Sequence, residues 1–283
     1  MAQLLVIGTG LIGSSVAAAL RSAGCFDVCV GFDADRSVSA RAVELGLLDA
    51  ATDDPYADTL DATAVVVAVP PPAVADAVVR AAAVHRGVPI FDVGSVKGSV
   101  IDAVRSRGGL PGQFVPCHPM AGTAQSGPDA ADAGLFRGRS VILTPEPETD
   151  AAAVAQVSAW WRAVGACVSV TSCAVHDEMV ALTSHLPHLL AYAYLDWLAQ
   201  PHAAAAAEFA GPGVRDFTRI AGSDPALWRD IFAANRAALL VELDGWLVQA
   251  HRAADLLRAG RFDELEGLLA RGRAARAQLL DDA

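Results

Sequence analysis

A chain of 283 residues with 53% hydrophobic side chains is long enough for one large domain or two ordinary ones with buried cores, which excludes a disordered polymer. Its formal net charge of −11 opposes a phosphate backbone, so nucleic acid is not an expected partner. The apolar run Leu4 to Leu20 follows no basic segment, is interrupted by Gly8, Gly10 and Gly13, and is closed by Arg21; it reads as the buried start of a cytoplasmic protein, with no signal peptide and no membrane association.

From residue 4 to about 172, short β-branched runs alternate with helical stretches, the pattern of a parallel sheet with crossover helices. Strands are predicted at Leu4–Ile7, Val28–Phe32, Ala64–Val69, Pro89–Val93, Gln113–Pro116, Ser140–Leu143 and Cys167–Val170. The run Val65-Val66-Val67-Ala68-Val69 is apolar throughout, as a strand covered on both faces must be.

Gly8-Thr9-Gly10-Leu11-Ile12-Gly13 follows the first strand and opens a helix through Ser14 and Ser15. The three glycines suit a tight turn, a close approach of backbone to a pyrophosphate, and close helix–strand packing, while the helix N-terminus offers N–H groups to the phosphates. Asp33 ends the next strand, where an acid binds ribose hydroxyls and repels a 2′-phosphate. The expected cofactor is NAD, held by Gly8, Gly10, Leu11, Ile12, Gly13 and Asp33; Arg36 nearby would soften the discrimination against NADP.

Asp92-Val93-Gly94-Ser95-Val96-Lys97-Gly98 follows another strand, at the carboxyl edge where open α/β sheets bind ligands. It carries the chain's only lysine, every other basic position being arginine. The five cysteines, Cys25, Cys29, Cys117, Cys167 and Cys173, lack the paired spacing of a zinc site and are expected as reduced thiols, with no metal.

After His176 strand-like runs stop, and Ala, Leu and Arg recur at helical spacing. Residues 1–172 are therefore expected to form a dinucleotide-binding domain and 173–283 an all-helical one. Asp224-Pro225 starts a predicted helix of some thirty residues with an apolar stripe through Ile231, Leu239, Leu243, Trp246 and Ala250. An apolar helix that long in a small domain commonly completes its burial against a second subunit, so a homodimer is expected.

Gly-Leu-Ile-Gly-Ser-Ser at 10–15, Gly94-Ser95-Val96-Lys97, His118-Pro119-Met120-Ala121-Gly122-Thr123, Ser184-His185-Leu186-Pro187-His188 and the segment Gly213 to Pro225 together resemble the prephenate and arogenate dehydrogenases, over residues 4 to about 235. The resemblance implies a Rossmann-type doubly wound parallel sheet joined to a helical dimerisation domain, and NAD-dependent oxidative decarboxylation in tyrosine biosynthesis. It points to His118 as the residue that hydrogen-bonds the substrate's ring hydroxyl, and to Ser95 as the one that orients that histidine and the nicotinamide. Ser184 and His188 match positions lining the substrate, Arg219 matches an arginine binding a substrate carboxylate, and Arg215 and Ser223 fall on further polar positions. A neutral imidazole with an ordinary pKa of ~6.5 suits acceptance of one proton.

Ala124 departs from the family pattern, where an acidic or amide residue bears on substrate choice. Without an acid there to meet an ammonium, the expected substrate is prephenate, with arogenate the alternative should Asp129 or Asp132 replace the missing acid. Relatives with a C-terminal regulatory module run longer, so none is expected here. A 3-hydroxyacid-type dehydrogenase and a non-catalytic NAD-binding protein are the other readings; the first needs a catalytic lysine on an interdomain helix, and the second has no use for His118, Ser95 and Arg219 together.

Overall fold

The computed structural model describes residues 1–123 and 125–281. In the first part, β1 (Gln3–Ile7), α1 (Leu11–Ser22), β2 (Val28–Phe32), α2 (Arg36–Glu44), β3 (Ala50–Ala51), β4 (Ala64–Val67), α3 (Pro71–Val84), β5 (Ile90–Asp92), α4 (Gly98–Arg105) and β6 (Phe114–Val115) build a six-stranded parallel sheet of order β3-β2-β1-β4-β5-β6. Strand order reverses between β1 and β4, which opens the crevice where such sheets take ligands. Alternation along each central strand divides the side chains between two cores. Leu4, Val6, Ala64 and Val66 enter one with α1 and the paired Trp160 and Trp161, while Leu5, Ile7, Val65 and Val67 enter the other with α3 and α4. Each of these side chains is essentially fully buried, contributing about 1.5–3 kcal/mol for a Val, Leu or Ile.

The chain then leaves this sheet. Pro116, which lacks an N–H, separates β6 from β7 (Cys117–Pro119), and β7 pairs antiparallel with β8 (Ser140–Leu143). After α5 (Ala151–Ala163), β9 (Cys167–Val170) joins β8 in parallel to complete a separate three-stranded sheet. The last two predicted strands therefore lie outside the main sheet. Neither β3 nor β7 was legible as a strand, since the first is two alanines and the second contains a proline.

Helices follow: α6 (Cys173–Val180), capped by Ser172 Oγ on the Val175 N–H at 3.3 Å; a single wide turn at Ala181–His185; α7 (Leu186–Phe209); α8 (Pro212–Thr218); and α9 (Pro225–Ala234). Asp224 caps α9 through Oδ1 on the Ala226 N–H at 2.9 Å, with Pro225 at the first helical position, as predicted. The predicted thirty-residue helix is divided, however, with Asn235 (φ −110°, ψ 29°) ending α9 before α10 (Arg236–Arg258) begins. Asn235 is buried and its amide is spent on tertiary partners, Asp177 O at 2.7 Å and His185 Nδ1 at 3.1 Å, so a tertiary demand overrides the helical periodicity.

By packing, the chain divides into Met1–Arg236 and a second unit from Ala237 onward, which holds most of α10 and α11 (Phe262–Arg276). Helices α6 to α9 thus fold as one compact unit with the strand-bearing part; Trp228 and Ile231 of α9 share a buried cluster with Val96.

Candidate active site

Gly8 sits at φ +96°, and a Cβ there would lie 2.4 Å from Ala68 O; one on Gly13 would lie 1.9 Å from Gly8 O. These two positions bring turn, strand end and helix into contact that no side chain permits. Gly10 differs, since a Cβ there would meet nothing within 4 Å. It is the N-cap of α1 and no side chain caps the helix, so the N–H groups of its first turn, opened by the half-buried Leu11 and Ile12, are left without a side-chain acceptor, as an anion site at a helix N-terminus requires. Asp33 directly follows β2, and its carboxylate accepts from Thr9 N at 2.8 Å, Thr9 Oγ1 at 3.4 Å and Asp35 N at 3.1 Å. A carboxylate has about four acceptor sites, so capacity remains for ribose hydroxyls. Arg36 points to Asp53 at 3.2 Å, both well exposed.

The loop after β5 is held from within by Lys97. Its ammonium, 0% exposed, pairs with Asp92 Oδ2 and donates to Cys117 O at 2.7 Å; Asp92 Oδ1 in turn accepts Cys117 N at 3.1 Å, and Oδ2 accepts Gly94 N at 3.0 Å. Every polar atom of the pair therefore has a partner, as a buried ion pair requires. The Cys117 N–H is thus held by Asp92 at the end of β5 and its carbonyl by Lys97 in the loop beyond, which fixes the next residue, His118. Cys117 itself is an inert thiol, pushed far above its ordinary pKa by burial and then by the Asp92 charge. Ser95 stands half-buried in the same loop.

His118 is on β7, 7% exposed, and its Nδ1 lies 2.8 Å from His176 Nε2. His176 Nδ1 lies 2.8 Å from Asp177 Oδ1, so the proton order is forced. A carboxylate only accepts, so His176 carries its proton on Nδ1 and accepts at Nε2; His118 must then donate from Nδ1, leaving its lone pair on Nε2. Burial first, and then the charges of His176, Lys97 and His185, hold the His118 pKa well below its ordinary value, so it is neutral at neutral pH. The unperturbed value expected from sequence is thus corrected downward. Asp177 also accepts Lys97 N at 2.9 Å and Gly98 N at 2.8 Å, at the N-terminus of α4. Burial alone would raise its pKa, but the bonds from His176, Lys97 and Gly98 prevail and hold it low.

His188 donates from Nδ1 to Ser184 O at 2.8 Å and stacks on Trp228 with ring centroids 3.6 Å apart. Its pKa is lowered by burial, opposed by the Ser184 bond and assisted by the charge of Arg219, which puts Arg219 within electrostatic reach of it. Tyr192 Oη donates to Ser223 O at 2.7 Å, tying α7 to the start of α9. Ser184 and Ser223 are half-buried, Arg215 and Arg219 exposed, and neither guanidinium has a carboxylate partner among the described residues. His185 is buried, accepts from Asn235, and is lowered to about 4, chiefly by burial; it supports the cluster from behind. Ala124 lies outside the described residues.

Sequence reading missed His176, Asp177, Asn235, Tyr192 and Trp228. The adjacent His176-Asp177 was a cue, but nothing local says which imidazole it faces. The two acids offered as readers of an ammonium are engaged elsewhere: Asp129 pairs with Arg41 at 2.7 Å, and Asp132 Oδ1 accepts Gly134 N at 2.8 Å. No described helix is long and apolar enough to cross a membrane, and no group of three or more His, Cys, Asp or Glu among the described residues is arranged to hold a metal.

Residues 16–170 match the family profile described as prephenate dehydrogenase, nucleotide-binding domain, and residues 172–271 the profile described as prephenate dehydrogenase, dimerization domain. The chain is 37% identical to a cyclohexadienyl dehydrogenase of Zymomonas mobilis, over 99% of this chain and 97% of that one. Among solved structures it is similar to prephenate dehydrogenase from A. aeolicus in complex with hydroxyphenyl propionate and NAD+ (TM-score 0.92, 30% identity, 99% of this chain and 98% of that one). It is also similar to a Synechocystis arogenate dehydrogenase (TM-score 0.82, 28% identity, 98% of this chain and 100% of that one).

Proposed function

This chain belongs to the prephenate dehydrogenase family and is an NAD-dependent oxidoreductase; we propose that it oxidatively decarboxylates prephenate to 4-hydroxyphenylpyruvate, the step that makes the aromatic ring of tyrosine. The observation that carries this reading is the state of His118, a buried neutral imidazole whose lone pair is directed to Nε2. Residues 1–172 serve as the nucleotide-binding domain and 173–283 as the helical substrate and dimerisation domain.

NAD, when bound, supplies the hydride acceptor. Its pyrophosphate fits the open side of the loop at Gly10, and its adenosine ribose the carboxylate of Asp33. Prephenate carries a ring hydroxyl opposite a quaternary carbon that bears a carboxylate. As the C4 hydrogen leaves with its electron pair, His118 Nε2 takes the hydroxyl proton and the carbonyl forms. The bond to the ring carboxylate then breaks, its electrons complete the aromatic ring, carbon dioxide leaves, and the proton returns to the oxygen. Ser95 orients His118 and the nicotinamide. Arg219 binds a substrate carboxylate, with Arg215, Ser184, His188 and Ser223 around the substrate. The exposed, unpaired guanidiniums support that role, because a planar fork matches a carboxylate in two hydrogen bonds.

Prephenate rather than arogenate is supported by the engagement of Asp129 with Arg41 and of Asp132 with Gly134, since an ammonium needs a counter-charge. Arogenate is the second reading, favoured by the likeness to the Synechocystis enzyme. A 3-hydroxyacid reaction is disfavoured because the only lysine, Lys97, is fully buried on Asp92. The exposed Trp197, Phe209, Phe217, Val241, Val248 and Leu257 support a homodimer through the helical domain, and the protein acts in the cytoplasm on a small-molecule substrate.

The test is the absorbance of reduced nicotinamide formed from NAD with either substrate. A higher kcat/KM for prephenate is expected. A preference for arogenate overturns the choice of substrate, and NAD binding without turnover of either overturns the reaction.

A further inference from the structure

Two residues that no motif assigned stand directly behind the base. His176 Nε2 is 2.8 Å from His118 Nδ1, and His176 Nδ1 is 2.8 Å from Asp177 Oδ1. His176 is 1% exposed, and nothing about fold stability requires a neutral imidazole to face another imidazole there; an apolar side chain would fill the space without a polar group to satisfy. The rest of Asp177 is equally specific. It accepts Lys97 N and Gly98 N at 2.9 and 2.8 Å, and its own carbonyl accepts from Asn235 at 2.7 Å, so the carboxylate cannot turn away from His176 without abandoning the N-terminus of α4.

We propose that His176 is a positioning residue for the base: backed by Asp177, it accepts the Nδ1–H of His118 and so locks His118 in the tautomer whose Nε2 receives the substrate's hydroxyl proton. The inference rests on the prephenate reading for the identity of that proton. Alone, His118 is free to place its single proton on Nε2, and in that form Nε2 donates and cannot accept the hydroxyl proton. The backing also acts during turnover. When Nε2 takes the proton, the new positive charge is met through His176 by the carboxylate of Asp177, whereas the other charges near His118, on Lys97, are already balanced by Asp92. The same carboxylate grips the backbone at Lys97 and Gly98, so the loop bearing Ser95 and the ring of His118 are referred to one fixed point, and their relative placement does not depend on the substrate.

The experiment uses the full chain and two variants, His176→Leu and His176→Gln. Nitrogen-15 NMR of the histidine rings at neutral pH, with the His118 signals identified by their loss in His118→Asn, reads the tautomer without any turnover. The expected result is the Nδ1–H form of His118 in the unmodified protein, its conversion to the Nε2–H form in His176→Leu, and retention of the Nδ1–H form in His176→Gln, whose amide oxygen accepts the same bond. In parallel, His176→Leu should lower kcat by about ten- to a hundredfold while KM for NAD moves less than about twofold, and His176→Gln should recover most of the loss. An Nε2–H tautomer in the unmodified protein, an unchanged tautomer and kcat in His176→Leu, or a glutamine variant no better than leucine would each overturn the proposal. Should His176→Leu fail to fold, His176→Gln decides alone: an Nε2–H ring or a kcat below that expected of the leucine variant rejects it. If the unmodified protein turns over neither prephenate nor arogenate, the assigned reaction falls, and the tautomer still decides whether His176 holds His118.

Discussion

The loop after β1 and the surroundings of His118 lie at the same edge of the nucleotide-binding part but are made by different means. The first is backbone from one stretch of chain, Gly8 to Gly13, whose selectivity lies in where a Cβ fits and where it does not. The second is side chains gathered from Asp92, Lys97, His176, Asp177, His185 and Asn235, with the fold supplying every distance between them. A backbone site tolerates change in whatever faces outward and fails when its internal contacts are filled. A side-chain site fails when any member loses its partner, because each polar atom is buried and committed.

The comparison breaks most visibly at His118. His118→Asn should lower kcat by roughly a hundredfold or more with NAD affinity nearly unchanged, as expected if His118 is the proposed general base and does not itself hold the dinucleotide. Stopped-flow and NAD fluorescence titration read the two separately; a loss of NAD affinity with kcat intact would make His118 a cofactor residue instead. The pH profile sharpens the point. The base must be neutral to accept a proton, and burial holds its pKa down, so kcat/KM should stay level through about pH 6.5 and fall only at more acid pH. An acid limb centred at or above the ordinary histidine value would mean that the ring is hydrated in the free enzyme.

Arg219→Ala should act next most strongly, and on one side only. A charge-assisted bond to a carboxylate contributes about 1.5 to 3 kcal/mol, or roughly ten- to a hundredfold in substrate KM. Because the guanidinium is exposed and has no carboxylate partner among the described residues, stability should be unaffected. Equal changes in KM for substrate and for NAD would make it a structural residue.

The contrast between the two sites also explains what was legible beforehand. Gly8, Gly10, Gly13 and Asp33 stand at spacings fixed by one strand–turn–helix, so their order in the chain is their order in space. His118 was singled out through its family motif, and its neighbour Lys97 was noticed as the sole lysine, yet the buried pairing of that lysine came only with the Cys117 and Asp92 contacts. His176 sits fifty-eight positions from His118, and no period links them. The division of the long helix at Asn235 was hidden for the same reason: the apolar repeat runs on through it, and only the demand of Asp177 O and His185 for a donor interrupts it. The separate sheet of β7, β8 and β9 was missed because a strand's sequence records what it buries and not which sheet it joins.

A pair of alanine substitutions tests the backbone site against itself. Gly13→Ala forces a methyl group to within 1.9 Å of Gly8 O, so the turn must open, at a cost of about 1–3 kcal/mol in stability and with NAD binding lost as well. Gly10→Ala meets no protein atom within 4 Å, so the protein should melt as before while NAD affinity falls by about tenfold, the methyl occupying the space of the phosphates. Thermal unfolding and NAD titration on both variants separate the outcomes. If Gly10→Ala binds NAD normally, the open face at Gly10 is not where the pyrophosphate lies.

The smallest expected effect concerns Asp33, because its work is shared. Its carboxylate already accepts from Thr9 N at 2.8 Å, Thr9 Oγ1 at 3.4 Å and Asp35 N at 3.1 Å, so removing it costs the fold three local bonds as well as the proposed ribose contact. The Asp35 N–H is exposed and takes water in its place, whereas Thr9 is fully buried and its N–H is left without that acceptor, so the stability loss should be about 1–3 kcal/mol. For the cofactor, Asp33→Ala should weaken NAD by several-fold to about tenfold, the loss of one charge-assisted hydrogen bond. NADP should be weakened less, or gain, because the carboxylate that repels its 2′-phosphate is gone and Arg36 stands nearby, held only by an exposed pair with Asp53 at 3.2 Å that contributes little. The ratio of kcat/KM for the two cofactors therefore narrows, and it should narrow less when Arg36→Ala is added, since no guanidinium then remains to meet the phosphate. An unmodified protein that already prefers NADP would remove Asp33 from the ribose, and an unchanged ratio in Asp33→Ala would show that its carboxylate serves the turn alone.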